Sequence, residues 1–309
     1  MLLSTIFRPF AEKKCAHFTS PVPQAIIQIT YYIEHEEVSA MEHRTYETKP
    51  GVIHYWVSRC GKDKPWLVFL PGLSADHTLF DKQMAHFSGK VNCLTWDAPA
   101  HGLSRPFALS FTMGDLAAYL HSIFESERIK APFLIGQSLG GYIAQVYMAQ
   151  YPGSVSGFVS IDSCSLSRKY YTGWELALLK RTKGMYMSIP WKLLLSWGIA
   201  GTSTTEYGRS LMKQMWSSYG KEEFCNLADH GYRILAKAVE AQPEYPIACP
   251  VLLLCGEKDG AGSAKSYNRR WTKQDRHPLV WLKGAGHNAN TDAPEEVNRQ
   301  IEAFVARNG

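Results

Sequence analysis

The segment Pro132-Phe133-Leu134-Ile135-Gly136-Gln137-Ser138-Leu139-Gly140-Gly141 decides the fold. Its first half is an apolar strand. Gly136, Ser138 and Gly140 then form G-x-S-x-G, and Tyr142, Ile143, Ala144, Val146 and Tyr147 read as a buried helix. Strand, tight turn and helix in that order are the context a nucleophile elbow requires. Small residues at 136 and 140 let strand and helix approach closely. The turn is expected to hold the Ser138 hydroxyl at a strained, exposed apex. It also places the N–H of Leu139 at a helix N-terminus, where it can stabilise an oxyanion.

The same alternation extends in both directions. Residues 66–70 (Trp-Leu-Val-Phe-Leu) form an apolar strand closed by Pro71-Gly72, and 91–96 form the next, ending at Asp97. Beyond the elbow, 155–161, 251–255 and 279–282 read as further strands. Helix-length segments at 78–87, 113–127, 139–150, 264–272 and 294–307 separate most of them. Apolar strands alternating with helices predict an α/β fold with a mostly parallel central sheet and helices on both faces. Ahead of them, 26–33 reads as a strand, and 43–48 with 52–58 as a hairpin about Lys49-Pro50-Gly51. The alternation breaks once, between late strands. Residues 163–246 offer no parallel strand but four helical stretches, at 174–183, 190–200, 205–218 and 222–241. The expected organisation is an irregular N-terminal arm at 1–24, a core from 25–162 and 247–309, and a helical cap at 163–246.

Three other strand ends carry chemistry-bearing residues. Leu73 follows Pro71-Gly72, and its N–H can form the other half of an oxyanion hole with that of Leu139. Gly256-Glu257-Lys258-Asp259 follows the apolar strand at 251–255, so Asp259 sits at the carboxyl edge of the sheet, where open α/β folds keep their sites. Asp162 ends an earlier strand and is the alternative acid; Glu257 is a nearer rival with a structural role expected. Gly284-Ala285-Gly286-His287 follows the last strand, and the small residues leave His287 free to reach Ser138. The order Ser138, Asp259, His287 on successive strand ends suits a nucleophile, an orienting acid and a general base.

These segments, together with Asp97-Ala98-Pro99-Ala100-His101-Gly102-Leu103-Ser104, resemble the α/β-hydrolase fold superfamily in its capped, single-domain serine hydrolase form. The resemblance runs from about residue 50 to the C-terminus. Pro71 stands where many members carry His, and Ala100 where the D-x-x-G-x-G-x-S pattern carries its first Gly. The resemblance implies loop-building roles for Asp97, His101 and Ser104. It also implies that the acid sits at Asp259, although some members use the position of Asp162. Dehalogenases and epoxide hydrolases of this superfamily carry aspartate at the elbow, and Ser138 argues against both chemistries.

Composition bounds the partners. The 309 residues are 45% hydrophobic and 20% charged, an ordinary globular balance. A net charge of +5, with no basic block, gives no case for a nucleic-acid partner. No apolar run reaches the roughly 18–20 residues of a membrane span. The seven cysteines are scattered without a C-x-x-C pair, which suggests neither a zinc site nor a redox dithiol, and their odd count suits a reducing compartment, expected to be the cytoplasm. No cofactor is implied. Within the cap, Trp174, Leu178, Trp191, Leu194, Trp197, Met212 and Trp216 are expected to line an apolar pocket. The expected partner is a small to medium hydrophobic ester-like substrate, cleaved in the manner of a carboxylesterase, with lactones and thioesters included. The alternatives are hydrolysis of a carbon–carbon bond in diketone-type ring-cleavage products, and a ligand-binding or receptor protein of the same fold with slow turnover. The oligomeric state is left open.

Overall fold

The computed structural model describes residues 41–242 and 244–309. The expected arm at 1–24 and strand at 26–33 lie outside them. Eight strands form one sheet among the described residues: β1 (Glu42–Thr48), β2 (Gly51–Ser58), β3 (Trp66–Leu70), β4 (Asn92–Trp96), β5 (Phe133–Gln137), β6 (Gly157–Ile161), β7 (Val251–Gly256) and β8 (Leu279–Leu282). Their spatial order is β1-β2-β4-β3-β5-β6-β7-β8. The β1–β2 hairpin is antiparallel, and β2 joins β4 antiparallel. From β4 to β8 every pairing is parallel.

Burial explains the sequence pattern. Strands β3 to β7 are buried at every position because helices cover both sheet faces. Edge strand β1 alternates exposed and half-buried residues instead. The helices are α1 (Asp81–Phe87), α2 (Met113–Glu127), α3 (Leu139–Gln150), α4 (Gly173–Leu179), α5 (Thr182–Ser188), α6 (Trp191–Thr202), α7 (Glu206–Ser217), α8 (Lys221–Glu240), α9 (Ala264–Asp275), α10 (Ala289–Asp292) and α11 (Pro294–Asn308). Thr112 starts α2 with a capping box, its side chain on the Asp115 N–H and the Asp115 carboxylate on its own N–H.

Helices α4 to α8 lie between β6 and β7, where the sequence predicts an insertion. The single helix expected at 174–183 is two. The chain tightens at Lys180 and Arg181, whose N–H groups reach back to Leu176 and Leu178. It restarts as α5, which sets the Tyr186 ring against Phe224 of α8, 6.4 Å between centroids. The four-residue α10 is too short to leave a periodic signal. The six cysteines among the described residues are all free thiols.

Candidate active site

Parallel strands deliver their C-terminal loops to one edge, and the predicted residues gather there. Ser138 leaves β5 with φ 48° and ψ −118°. A non-glycine residue in that region costs about 1–3 kcal/mol and must be held by its neighbours. Here the Ser138 N–H donates to Ile161 O at 2.9 Å, and Ser163 Oγ donates to Ser138 O at 2.7 Å. Gly140 has to be glycine, because a Cβ there would lie 1.9 Å from Leu70 O. Close approach of α3 to the end of β3 thus brings the Leu73 turn beside the elbow. At Gly72 a Cβ would stand 3.0 Å from that of Ser138. Leu73 and Leu139 border the same cavity as Ser138, and neither N–H donates to another described group.

His287 connects the other two. Its Nε2 lies 2.9 Å from Ser138 Oγ and its Nδ1 lies 3.1 Å from Asp259 Oδ2. With the proton on Nδ1, Asp259 accepts it and Nε2 is left to accept from the serine hydroxyl. Asp259 is buried, and its other oxygen accepts the Ala261 N–H at 2.8 Å. Burial alone would lower the His287 pKa, but the carboxylates of Asp259 and then Asp162 outweigh it and hold the imidazole above its ordinary value.

Asp162 is placed differently. Its two oxygens accept the N–H groups of Gly256 at 2.7 Å and Ala289 at 3.0 Å. It therefore braces the end of β7, which leads to Asp259, against the residue two beyond His287. Burial and then the neighbouring Asp259 push its carboxyl well up. Glu257 accepts from the Gly284 N–H at the surface, away from His287.

Gln137 was not singled out from the sequence. Its side-chain amide donates to His287 O at 2.9 Å and to Asn288 Oδ1 at 3.1 Å, so the elbow itself holds the histidine loop. Its only signal was a polar residue ending an apolar strand. Asp97 has the loop-building role the resemblance implies. Its oxygens accept from the His77 N–H, the His77 ring and the Leu103 N–H. Ser104 Oγ donates to Asp97 O, and His101 is buried with its ring on Pro99 O. Asp76, His77 and Asp97 lie close enough to share a cation; both Asp97 oxygens take the bonds just given, and Asp76 Oδ1 caps Thr78.

The cavity above Ser138 has a volume of about 530 Å³. Of the seven residues expected at a pocket, Trp174, Leu178, Met212 and Trp216 border this cavity. Trp191, Leu194 and Trp197 do not. Trp191 packs on Phe224 at 5.3 Å, Leu194 is buried in the cap, and Trp197 is 61% exposed. Helix α6 offers the cavity Gly198, Gly201 and Thr202 instead, because the Trp216 ring occupies the space where a Cβ of Gly198 would sit. Tyr142, Tyr171, Tyr186, Tyr232 and Tyr267 complete the wall. Tyr171 OH donates to Ser165 O, so Tyr142 OH donates to Tyr171 OH at 2.7 Å. No Lys or Arg is among the described lining residues, and Asp162 and Glu175 are the carboxylates there.

A family model described as "Alpha/beta hydrolase family" matches residues 67–300. The chain belongs to that family. Among similar proteins, one of Haemophilus influenzae named as a 2-succinyl-6-hydroxy-2,4-cyclohexadiene-1-carboxylate synthase is 26% identical over 78% of this chain and 97% of its own. Epoxide hydrolase 1 of Caenorhabditis elegans is 21% identical over 83% of this chain and 72% of its own. The solved structure of a thermophilic esterase from Thermogutta terrifontis superimposes with a TM-score of 0.67 at 18% identity, covering 87% of this chain and 98% of that one. The structural likeness shows that this α/β-hydrolase has the family's fold. Among its described residues no helix is long and apolar enough to cross a membrane.

Proposed function

We propose that the protein is a serine hydrolase that cleaves a small to medium, uncharged, hydrophobic carboxylic ester, lactone or thioester through an acyl-enzyme. The observation that carries this reading is His287 bridging Ser138 and Asp259 beneath a largely apolar cavity. As Ser138 Oγ attacks the carbonyl carbon, His287 Nε2 takes its proton, and Asp259 steadies the imidazolium that forms. The N–H groups of Leu73 and Leu139 receive the oxyanion. His287 returns the proton to the leaving alcohol or thiol, then activates the water that releases the acid. Ser138 supports this over epoxide opening, which in this family begins with a carboxylate at the elbow. The absence of Lys or Arg from the described lining favours a substrate without a carboxylate near the scissile bond. The free thiols support a reducing compartment, and the cytoplasm is the proposed location.

The test is hydrolysis of nitrophenyl esters of graded acyl length by the wild type and by Ser138→Ala. Turnover should peak at one chain length and fall about 10³-fold or more in the variant. Equal turnover by the two proteins would remove Ser138 as nucleophile. An inert wild type would shift the case to a carbon–carbon hydrolase, seen as loss of a dienolate absorbance, or to a binding protein, seen as saturable binding without turnover.

A further inference from the structure

Six of the eleven large hydrophobic side chains exposed among the described residues lie on α4 to α6: Trp174, Leu178, Met185, Met187, Leu193 and Trp197. Helical spacing gathers them. Trp174 and Leu178 are four apart on α4, and Leu193, Trp197 and Gly201 continue at the same interval along α6. Both stripes end at the cavity, since Trp174, Leu178, Met185 and Gly201 are exposed and also line it. The mouth of the site is therefore set in an apolar face.

The exposed charges from residue 172 to residue 202 have one sign. Arg181, Lys183 and Lys192 are exposed, and none forms an ion pair with a described carboxylate. From 172 to 202 the single acidic residue is Glu175, whose oxygens already accept from Thr172 and from Tyr267 OH. Lys180, at the edge, pairs with Glu240.

We propose that the α4–α6 face docks on an anionic lipid surface, with Trp174, Leu178, Leu193 and Trp197 entering the acyl boundary and Arg181, Lys183 and Lys192 resting among the headgroups. Tryptophan and leucine above an apolar helix stripe, flanked by cations, are the components of an interfacial anchor that lies on a bilayer without spanning it. Charge complementarity selects the occupant: Arg181, Lys183 and Lys192 have no described carboxylate to pair with, and anionic headgroups supply one. Docking puts the cavity mouth against the lipid, and an uncharged acyl compound dissolved there can enter without crossing water. Docking stands apart from the proposed hydrolysis; only this route of entry rests on it.

The test is co-sedimentation of the full chain with vesicles of phosphatidylcholine alone and of phosphatidylcholine with equimolar phosphatidylglycerol. The mixed vesicles should carry the protein down, less so as salt is added. The paired substitution Trp197→Ser and Leu193→Ser, outside the cavity, should lower partitioning about tenfold or more. Arg181→Glu with Lys192→Glu should abolish the preference for anionic vesicles. Both variants should keep wild-type circular dichroism and wild-type hydrolysis of a water-soluble ester. If the wild type sediments with neither vesicle, or both variants bind as the wild type does, the proposal is overturned. It is equally overturned if sedimentation equilibrium shows a dimer that Trp197→Ser dissociates, because a second copy then covers the face. An ester hydrolysis that fails while vesicle binding behaves as expected would reject the enzymatic reading and leave the docking intact.

Discussion

At Ser138 the backbone is held in a region that L-residues avoid, by Ile161 at the end of β6, by Ser163 just beyond it and by the Gly141 N–H of its own helix. The two buried aspartates show the same dependence on partners. Asp259 meets His287 Nδ1, whereas Asp162 meets two backbone N–H groups. On the proposed mechanism Asp259→Asn should lower kcat by about 10³–10⁴-fold, because the amide favours the wrong imidazole tautomer. Asp162→Asn should affect stability more than chemistry. Its amide would turn a donor toward one of those N–H groups, costing about 1–3 kcal/mol on denaturant unfolding. Should Asp162→Asn prove as inactive as Asp259→Asn while remaining as stable as wild type, the assignment of the two would be reversed. The pH dependence follows from His287. The base must be neutral, and its pKa is raised above 6.5, so kcat/KM should fall on the acid side with a midpoint above pH 6.5. A midpoint below that value would mean that the acidic pair does not act on the imidazole.

Elements carry their own tests. Ala100 sits at φ 67°, where the family's loop pattern has glycine. The methyl group is strained there, so Ala100→Gly should stabilise the protein by about 0.5–1 kcal/mol, opposite in sign to the same change inside a helix. Calorimetry should show Tm rising by about 2 °C, and an unchanged or lower Tm would mean that the loop already relieves the strain. The extent of each element was legible to different degrees. Helices α2 and α3 and strands β3 and β8 have the ends their sequences predict, because a capping threonine, a glycine turn or a proline marks each locally. The division of α4 from α5 has no such mark. It arises where Tyr186 turns to meet Phe224, a contact 38 residues away.

For the molecule as a whole, the question is how the insertion is tied to the sheet. Asp292 accepts from the Thr204 and Thr205 N–H groups and hydroxyls, and from the Gly286 N–H beside His287. Thr202 O accepts the Asn288 N–H on the other side of the histidine. Gln145 closes the opposite root, donating to Cys164 O and accepting from the Leu166 N–H. One carboxylate thus anchors both the start of α7 and the His287 loop. Asp292→Ala should cost about 2–3 kcal/mol of stability, raise KM and lower kcat together, and speed proteolytic cleavage between α6 and α7. Unaltered kinetics with faster cleavage would show that the histidine loop keeps its place without the insertion.

The sequence by itself determined the strand order along the chain, the elbow, and the loops that present Ser138, Asp259 and His287. Those features depend on short-range chemistry: apolar runs, glycine turns and helix caps spaced a few residues apart. The sequence favoured Asp259 over Asp162 as the acid, but only the tertiary structure supplied the reason: both Asp162 oxygens are taken by N–H groups arriving from β7 and the histidine loop, whereas the turn beyond β7 carries Asp259 to His287 Nδ1. The tertiary structure also decided which side of the apolar α6 faces inward. That helix is hydrophobic around most of its circumference, so its own periodicity cannot choose a face. The Trp216 ring against Gly198 makes the choice, turning Trp197 out of the cavity and onto the surface.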